Sequence, residues 1–311
     1  MAKRLCVALL AGGRSGEREV SLKGGEEVYR ALDRNSYEVR RYDPAVDLVR
    51  LAADAAEIDV AFIILHGPFG EDGAMQGFLD MLGIPYQGAG VMGSAMAMDK
   101  NIAKVMYRRA GLLVPDWRMA EKSQIDSPGE LIEQLGLPAV IKPLHQGSSL
   151  GMSIPATAGE MSKGLRTAFE FDGQVMVEEF IRGREITGGV LGNDELTALP
   201  LVEIIPGEDY KFFDYEAKYR PGASKEVCPA EFDPETTASA QQCALAAHRV
   251  LNLAVYSRTD MIVNEAGIFV LETNTIPGMT PTSLLPQAAA VHGLSFPLLI
   301  ERLLELAMQK G

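Results

Sequence analysis

Apolar residues near the start of the chain fall in short unbroken runs. Leu5-Cys6-Val7-Ala8-Leu9-Leu10 is one, and residues 60–65 form another. Runs of this length without polar alternation predict strands buried on both faces. Between them, residues 21–32 keep a helical period, with Ser21 as the expected N-cap. Strand, helix and strand in this order predict a doubly wound α/β lobe. Both strands end in polar, glycine-rich turns, Ala11-Gly12-Gly13-Arg14-Ser15-Gly16 and His66-Gly67-Pro68-Phe69-Gly70. Ligands of such sheets collect beyond the carboxyl ends of the strands, so the two turns are expected to border one crevice.

Farther on, the pattern predicts a helix over 99–110, a strand over 139–143 running into Gln146-Gly147-Ser148-Ser149-Leu150-Gly151, and a strand over 174–180. An irregular stretch to Pro206, a polar loop over 209–221, a helix over 235–251 and a terminal hairpin follow. The first domain boundary is expected near residue 95, at the end of this N-terminal α/β lobe. The sequence shows no internal repeat and no low-complexity segment.

The hairpin carries the most definite geometry. Arg258-Thr259-Asp260-Met261-Ile262-Val263 and Ile268-Phe269-Val270-Leu271-Glu272-Thr273-Asn274 flank the turn Asn264-Glu265-Ala266-Gly267. Side chains two apart on a strand share a face, so Glu272 and Asn274 point the same way, with Phe269 and Leu271 on the other. Counting back from the turn sets Asp260 roughly opposite Glu272. Two carboxylates and an amide make a hard-oxygen set of the kind magnesium prefers. Solvated acidic positions are the plain alternative, but unpaired carboxylates inside such apolar strands would be costly to bury without a cation.

Lys142 lies in an equally apolar strand and calls for a fixed anion. The Gly/Ser loop after it offers backbone N–H groups that can cradle phosphate, although it lacks the Walker spacing. Glu178 and Glu179 end the next strand, and Glu185 follows Arg182-Gly183-Arg184; composition alone makes this a solvated charge cluster. Glu17 sits just past a glycine turn, where it caps a helix, faces solvent or holds an ammonium group.

Composition narrows the function. Lys and Arg number 29 against 42 Asp and Glu, for a net charge of −13, and no basic patch is concentrated enough to suggest a nucleic-acid partner. The three cysteines have no CxxC spacing, which fits a reducing compartment and buried thiols rather than disulfides or zinc. Basic residues before Leu5 superficially resemble a secretory leader, but the apolar run is brief and passes at once into a charged turn. No stretch approaches the roughly 20 apolar residues of a membrane span.

Four stretches together carry a family resemblance: Gly16-Glu17-Arg18-Glu19-Val20-Ser21-Leu22; the segment from His66-Gly67-Pro68-Phe69-Gly70-Glu71-Asp72-Gly73 to Gly77; Asp214-Tyr215-Glu216-Ala217-Lys218-Tyr219; and the segment from Leu271-Glu272-Thr273-Asn274 to Thr280. In order and spacing the chain resembles the ATP-grasp superfamily, and within it the D-alanine–D-alanine ligases, over essentially its whole length. The resemblance implies a cytoplasmic, three-lobed ATP-grasp enzyme, a homodimer by analogy, with an N-terminal Rossmann-like α/β lobe over 1–95, a central lobe over 96–188 and a C-terminal lobe over 189–311, the last two of α+β character. ATP would lie between the central and C-terminal lobes, with two D-alanines as substrates and two magnesium ions, or manganese in their place, as cofactors. It implies Lys100 and Lys142 at the phosphates; Glu178, Phe180, Ile181 and Glu185 around adenine and ribose; and Asp260, Glu272 and Asn274 on the metals, Glu272 bridging. Glu17 would anchor the first ammonium group and connect through Ser148 to Tyr219. Arg258 and the N–H of Gly278 would hold the oxyanion, Lys218 and Ser283 the second carboxylate beside Leu284, and His66 would lie near the second amine. Two positions depart from the commonest family pattern: Ser257, where glycine is usual, and Glu179, where lysine is frequent. The other readings are a related ligase with another second substrate such as D-serine, and a nucleotide-binding protein that kept the fold without the activity.

Overall fold

In the computed structural model, which describes residues 4–207 and 224–309, the buried runs form three sheets. The first is parallel, in the order β2 (Tyr37–Tyr42), β1 (Leu5–Leu10), β3 (Val60–Ile63). Its central strand explains the unbroken apolar run. Val7 and Leu9 face a core shared with Val28 of helix α1 (Arg18–Ala31), while Cys6, Ala8 and Leu10 face a second core with Leu51 of α2 (Leu48–Asp54) and Leu79 of α3 (Ala74–Leu82). Both faces are covered, as the pattern requires.

Ser21 is not the N-cap that its position suggests. The helix begins three residues earlier, at Arg18, and Ser21 is fully buried inside it. Its hydroxyl accepts from the Gly12 N–H at 2.8 Å and donates to the Ile64 carbonyl, which ties the ends of β1 and β3 together. A polar side chain in that position serves the two strand ends better than it would serve the helix terminus.

Helices α4 (Val91–Met98) and α5 (Lys100–Arg109) follow, with the Asp99 carboxylate capping α5 through the Ile102 N–H at 2.9 Å. The expected boundary at 95 therefore falls inside α4. The second sheet is antiparallel, in the order β4 (Trp117–Ala120), β6 (Val175–Glu179), β5 (Ala139–Pro143), and it packs against α6 (Gly129–Leu135) and α7 (Ala158–Phe171).

The third sheet runs β10 (Ser224–Val227), β9 (Val202–Pro206), β7 (Arg184–Gly192), β11 (Val255–Asn264), β12 (Gly267–Asn274), with β8 (Thr197–Ala198) beside β7. Position 188 lies within β7, a strand of this sheet from Arg184 onward. Helix α8 (Pro234–Val250) covers one face through Ala240, Ala244 and Ala247. Helix α9 (Leu284–Val291) and helix α10 (Phe296–Gln309) then return to the first lobe. Leu299, Leu303 and Leu304 of α10 share the core of Val7, Leu9 and Phe62, so the end of the chain closes the sheet that its beginning opened. No helix among the described residues is long and apolar enough to cross a membrane.

Candidate active site

A cavity of about 490 Å³ opens between the second and third sheets. Lys100, Lys142, Glu178, Phe180, Ile181 and Glu185 all line it, together with the Gly147-Ser148-Ser149-Leu150 loop, Asp260 and Glu272. Side chains from α5, β5, the end of β6 with the connection after it, and β7 thus meet where the resemblance places a nucleotide. The Lys100 ammonium donates to the carbonyls of Gln146 at 2.7 Å and Leu144 at 3.3 Å, which pins the loop that follows β5. Burial pulls the Lys100 amine below its ordinary range.

The anion that Lys142 requires is Glu178, in direct contact on the neighbouring strand. Glu178 is not the solvated group that composition suggests: it is 1% exposed, whereas Glu179 beside it is open to solvent. A second cation, Lys104 of α5, lies 2.8 Å from the other oxygen of Glu178 and is fully buried. Burial alone would raise the Glu178 carboxyl, but Lys104 and Lys142 together hold it below its ordinary value. Lys104 was not among the expected site residues, because a lysine on a helix usually reaches solvent.

On the cavity wall, Asp260 of β11 pairs with Glu272 of β12, one residue past the Leu271 that unbroken counting from the turn would set opposite it. A bulge follows, for Met261 pairs with Val270 and Leu271 is the extra residue. Leu271 consequently joins Glu272 on the cavity wall instead of pointing away from it. Arg258 donates to both Asp260 oxygens at 2.9 Å, and the Asn274 amide donates to Asp260 at 3.2 Å. Asp260 is 8% exposed, so this forked pair is largely shielded from water. Among the described residues, no three His, Cys, Asp or Glu side chains cluster as metal ligands. The oxygen donors are two carboxylates and an amide at a cavity that Lys100 and Lys142 also line, a set that suits a hard cation completed by ligand oxygens and water.

The first lobe meets this cavity through Glu17. Its carboxylate accepts from the Ser148 hydroxyl, a contact between residues 131 positions apart. A Cβ on Gly147 would sit 2.9 Å from the same carboxylate, so glycine is what allows the loop this close. Arg18, next to Glu17, is locked by Asp43, whose carboxyl is held down at about 2 by that guanidinium. Asp43 also accepts from the Gly13 N–H at 2.9 Å and so shapes the turn ahead of Glu17.

His66 is buried, and burial together with the Arg258 charge lowers its pKa against the opposing pull of Glu17. Neutral imidazole is the favoured form. The expected crevice between the two turns is present as a cavity of about 280 Å³, with Gly12, Gly13 and Ser15 on one side and His66, Pro68 and Phe69 on the other. Glu71, two turns of chain beyond His66, accepts from the Gly67 N–H at 2.7 Å, yet burial and the nearby Glu17 charge push its pKa up to about 8. In the unfolded chain this carboxyl titrates near 4.5, so between that value and about 8 the folded protein binds the extra proton. Stability is then fullest at low pH and is lost as pH rises through this window. Urea denaturation across it should show that decline, and Glu71→Gln should flatten it; an unchanged slope would remove Glu71 as its source.

Gly278 and Ser283 lie together: a Cβ on Gly278 would stand 3.1 Å from the Ser283 oxygen, which itself accepts from the Thr280 N–H at 3.1 Å. Ser283 precedes α9 without capping it by its side chain. Leu284 is 7% exposed and belongs to the core under α10. Lys218 and Tyr219 lie outside the described residues.

Comparison with known proteins gives a consistent result. A family model described as D-ala D-ala ligase C-terminus matches residues 106–305, and one described as D-ala D-ala ligase N-terminus matches 43–89. The chain is 57% identical over 307 residues to the D-alanine--D-alanine ligase of Syntrophobacter fumaroxidans, covering 99% of each chain. It is 57% identical over 312 residues to that of Desulfotalea psychrophila, covering 100% of this chain and 97% of the relative. Among solved structures, a D-alanine--D-alanine ligase from Bacillus anthracis complexed with ATP superposes with a TM-score of 0.86 at 33% identity, covering 98% of both chains. The VanG D-Ala:D-Ser ligase from Enterococcus faecalis superposes with a TM-score of 0.85 at 30% identity, covering 98% of this chain and all of the other.

Proposed function

The chain belongs to the D-alanine–D-alanine ligase family, and from that premise we infer that it joins two D-alanines into D-alanyl-D-alanine for cell-wall synthesis, with ATP cleaved to ADP and phosphate. The observation that carries this reading is the Glu17–Ser148 contact, which brings the first lobe onto the loop that lines one cavity with the lysines and the Asp260–Glu272 pair.

In this reading ATP occupies the cavity of about 490 Å³, with Phe180 and Ile181 flanking adenine, Glu178 and Glu185 toward adenine and ribose, and Lys100 and Lys142 toward the phosphates. Asp260, Glu272 and Asn274 would hold two magnesium ions, or manganese, and such ions would offset charge on a transferring phosphoryl group. Glu17 holds the ammonium group of the first D-alanine. A carboxylate oxygen of that substrate attacks the γ-phosphorus as the bond to ADP breaks, giving an acyl phosphate. The second amine then attacks the carbonyl carbon, phosphate leaves, and the amine loses a proton. Arg258 and the Gly278 N–H face the oxyanion that develops in between. His66, neutral in its buried setting, orients the incoming amine. Ser283 and Lys218 receive the second carboxylate beside Leu284, and Glu17 connects through Ser148 to Tyr219.

The three-lobed division at 95 and 188 and a homodimer in the cytoplasm complete the proposal by family analogy; light scattering that detects only monomer would contradict the dimer. D-Serine as second substrate is the alternative that the VanG likeness keeps in view.

The acyl phosphate is tested by isotope. With D-alanine labelled by ¹⁸O in its carboxylate, one labelled oxygen should appear in each phosphate released. Unlabelled phosphate would mean that ATP is hydrolysed without passing through the substrate. Glu17→Gln should raise KM for D-alanine by about tenfold or more, the scale of a hydrogen bond to a charged group, and leave KM for ATP in place. Equal effects on both constants would take Glu17 away from the ammonium group.

A further inference from the structure

Two lysines meet one buried carboxylate at the cavity wall. Lys100, Lys142 and Glu178 line it, whereas Lys104 lies behind Glu178, fully buried and away from the cavity surface. Lys142 contacts one oxygen of Glu178, and Lys104 stands 2.8 Å from the other. The Lys104 contact is electrostatic more than directional, since neither its ammonium nor that carboxylate oxygen completes a hydrogen bond of good geometry. The Trp117 ring, 5.6 Å from the Lys104 ammonium, closes the other side. The indole N–H of Trp117 donates to Asn101 at 2.7 Å, and Trp117 is paired with Glu178 across β4 and β6.

A buried carboxylate stripped of its only cation is a large penalty, because breaking a buried pair leaves an uncompensated charge. In the proposed nucleotide complex Lys142 must turn from Glu178 toward phosphate. If Lys142 were the sole partner, that move would leave Glu178 bare at 1% exposure. We propose that Lys104 is a positioning residue for nucleotide binding, which retains Glu178 in place as Lys142 is handed over to the phosphates. The inference rests on the nucleotide reading of this cavity. Lys104 touches no part of the nucleotide; it removes the cost of freeing the lysine that does. One carboxylate held between two ammonium groups suits this exchange, since one cation can leave while the charge stays balanced.

The test is calorimetric titration of the full chain with ADP and magnesium. Lys104→Met keeps side-chain length and removes the charge. It leaves the empty site a neutral Lys142–Glu178 pair, so ADP affinity should fall by at least about tenfold. KM for D-alanine should stay unchanged while KM for ATP rises. In a Glu178→Gln background the same substitution should change ADP affinity by less than about threefold, because no buried charge then needs holding. An unchanged ADP affinity in Lys104→Met, or an equal loss in both backgrounds, would overturn the inference. Should Lys104→Met not fold, Lys104→Gln carries the same expectations. A wild-type chain that binds no ADP would instead bring down the nucleotide site itself.

Discussion

Replacing Glu272 by Gln is expected to lower kcat by about a thousandfold or more. Glu272 faces Asp260 across the hairpin at the end of the cavity, and its charge acts on Lys100 and Lys142. In the proposed reaction this carboxylate would help hold the cations that would offset phosphoryl charge, an effect worth several kcal/mol. Gln keeps the size and one oxygen but removes the charge. Folding should survive, because Glu272 is partly exposed on the cavity wall rather than in a core. Phosphate release under saturating ATP, D-alanine and magnesium measures the effect. Activity near the parent's would take Glu272 out of the metal site.

Arg258→Ala is expected to lower kcat by about a hundredfold or more, the scale of removing one preorganised oxyanion donor. The guanidinium is fixed by its fork onto Asp260, so it meets developing charge without first reorganising. The same fork means that alanine also releases Asp260. Arg258→Lys separates the two effects: it restores a charge but not the fork, and kcat should recover only in part. A change confined to KM for ATP would contradict the oxyanion role.

The hairpin shows how far the sequence reaches. Its turn and period of two bring Asp260 close to Glu272, but unbroken counting pairs Asp260 with Leu271, and it is the bulge that moves it onto Glu272. The bulge was not legible, because nothing in Leu271-Glu272 marks the extra residue; only the completed ladder reveals that Leu271 has joined the cavity. Ser21 has the residue type of an N-cap and the position to match, yet its hydroxyl is engaged by Gly12 and Ile64 from two strand ends. Contacts of that range leave no local trace. Lys142 was legible as a lysine in want of an anion because its strand is apolar throughout. Lys104 was not, since a helix with lysines spaced along it looks the same whether one of them is buried or exposed. The apolar stripe of α10 likewise shows that one face is covered without showing that the first lobe covers it. Glu178 was placed at the site only by family resemblance, while its composition pointed to solvent.

The reaction itself is tested by incubating the purified chain with ATP, magnesium and D-alanine and measuring released phosphate against condensed product identified by mass. D-alanyl-D-alanine formed in equal amount to phosphate is the expected result. Phosphate without dipeptide, or bound ATP that is never consumed, would contradict the assignment of this site as a ligase.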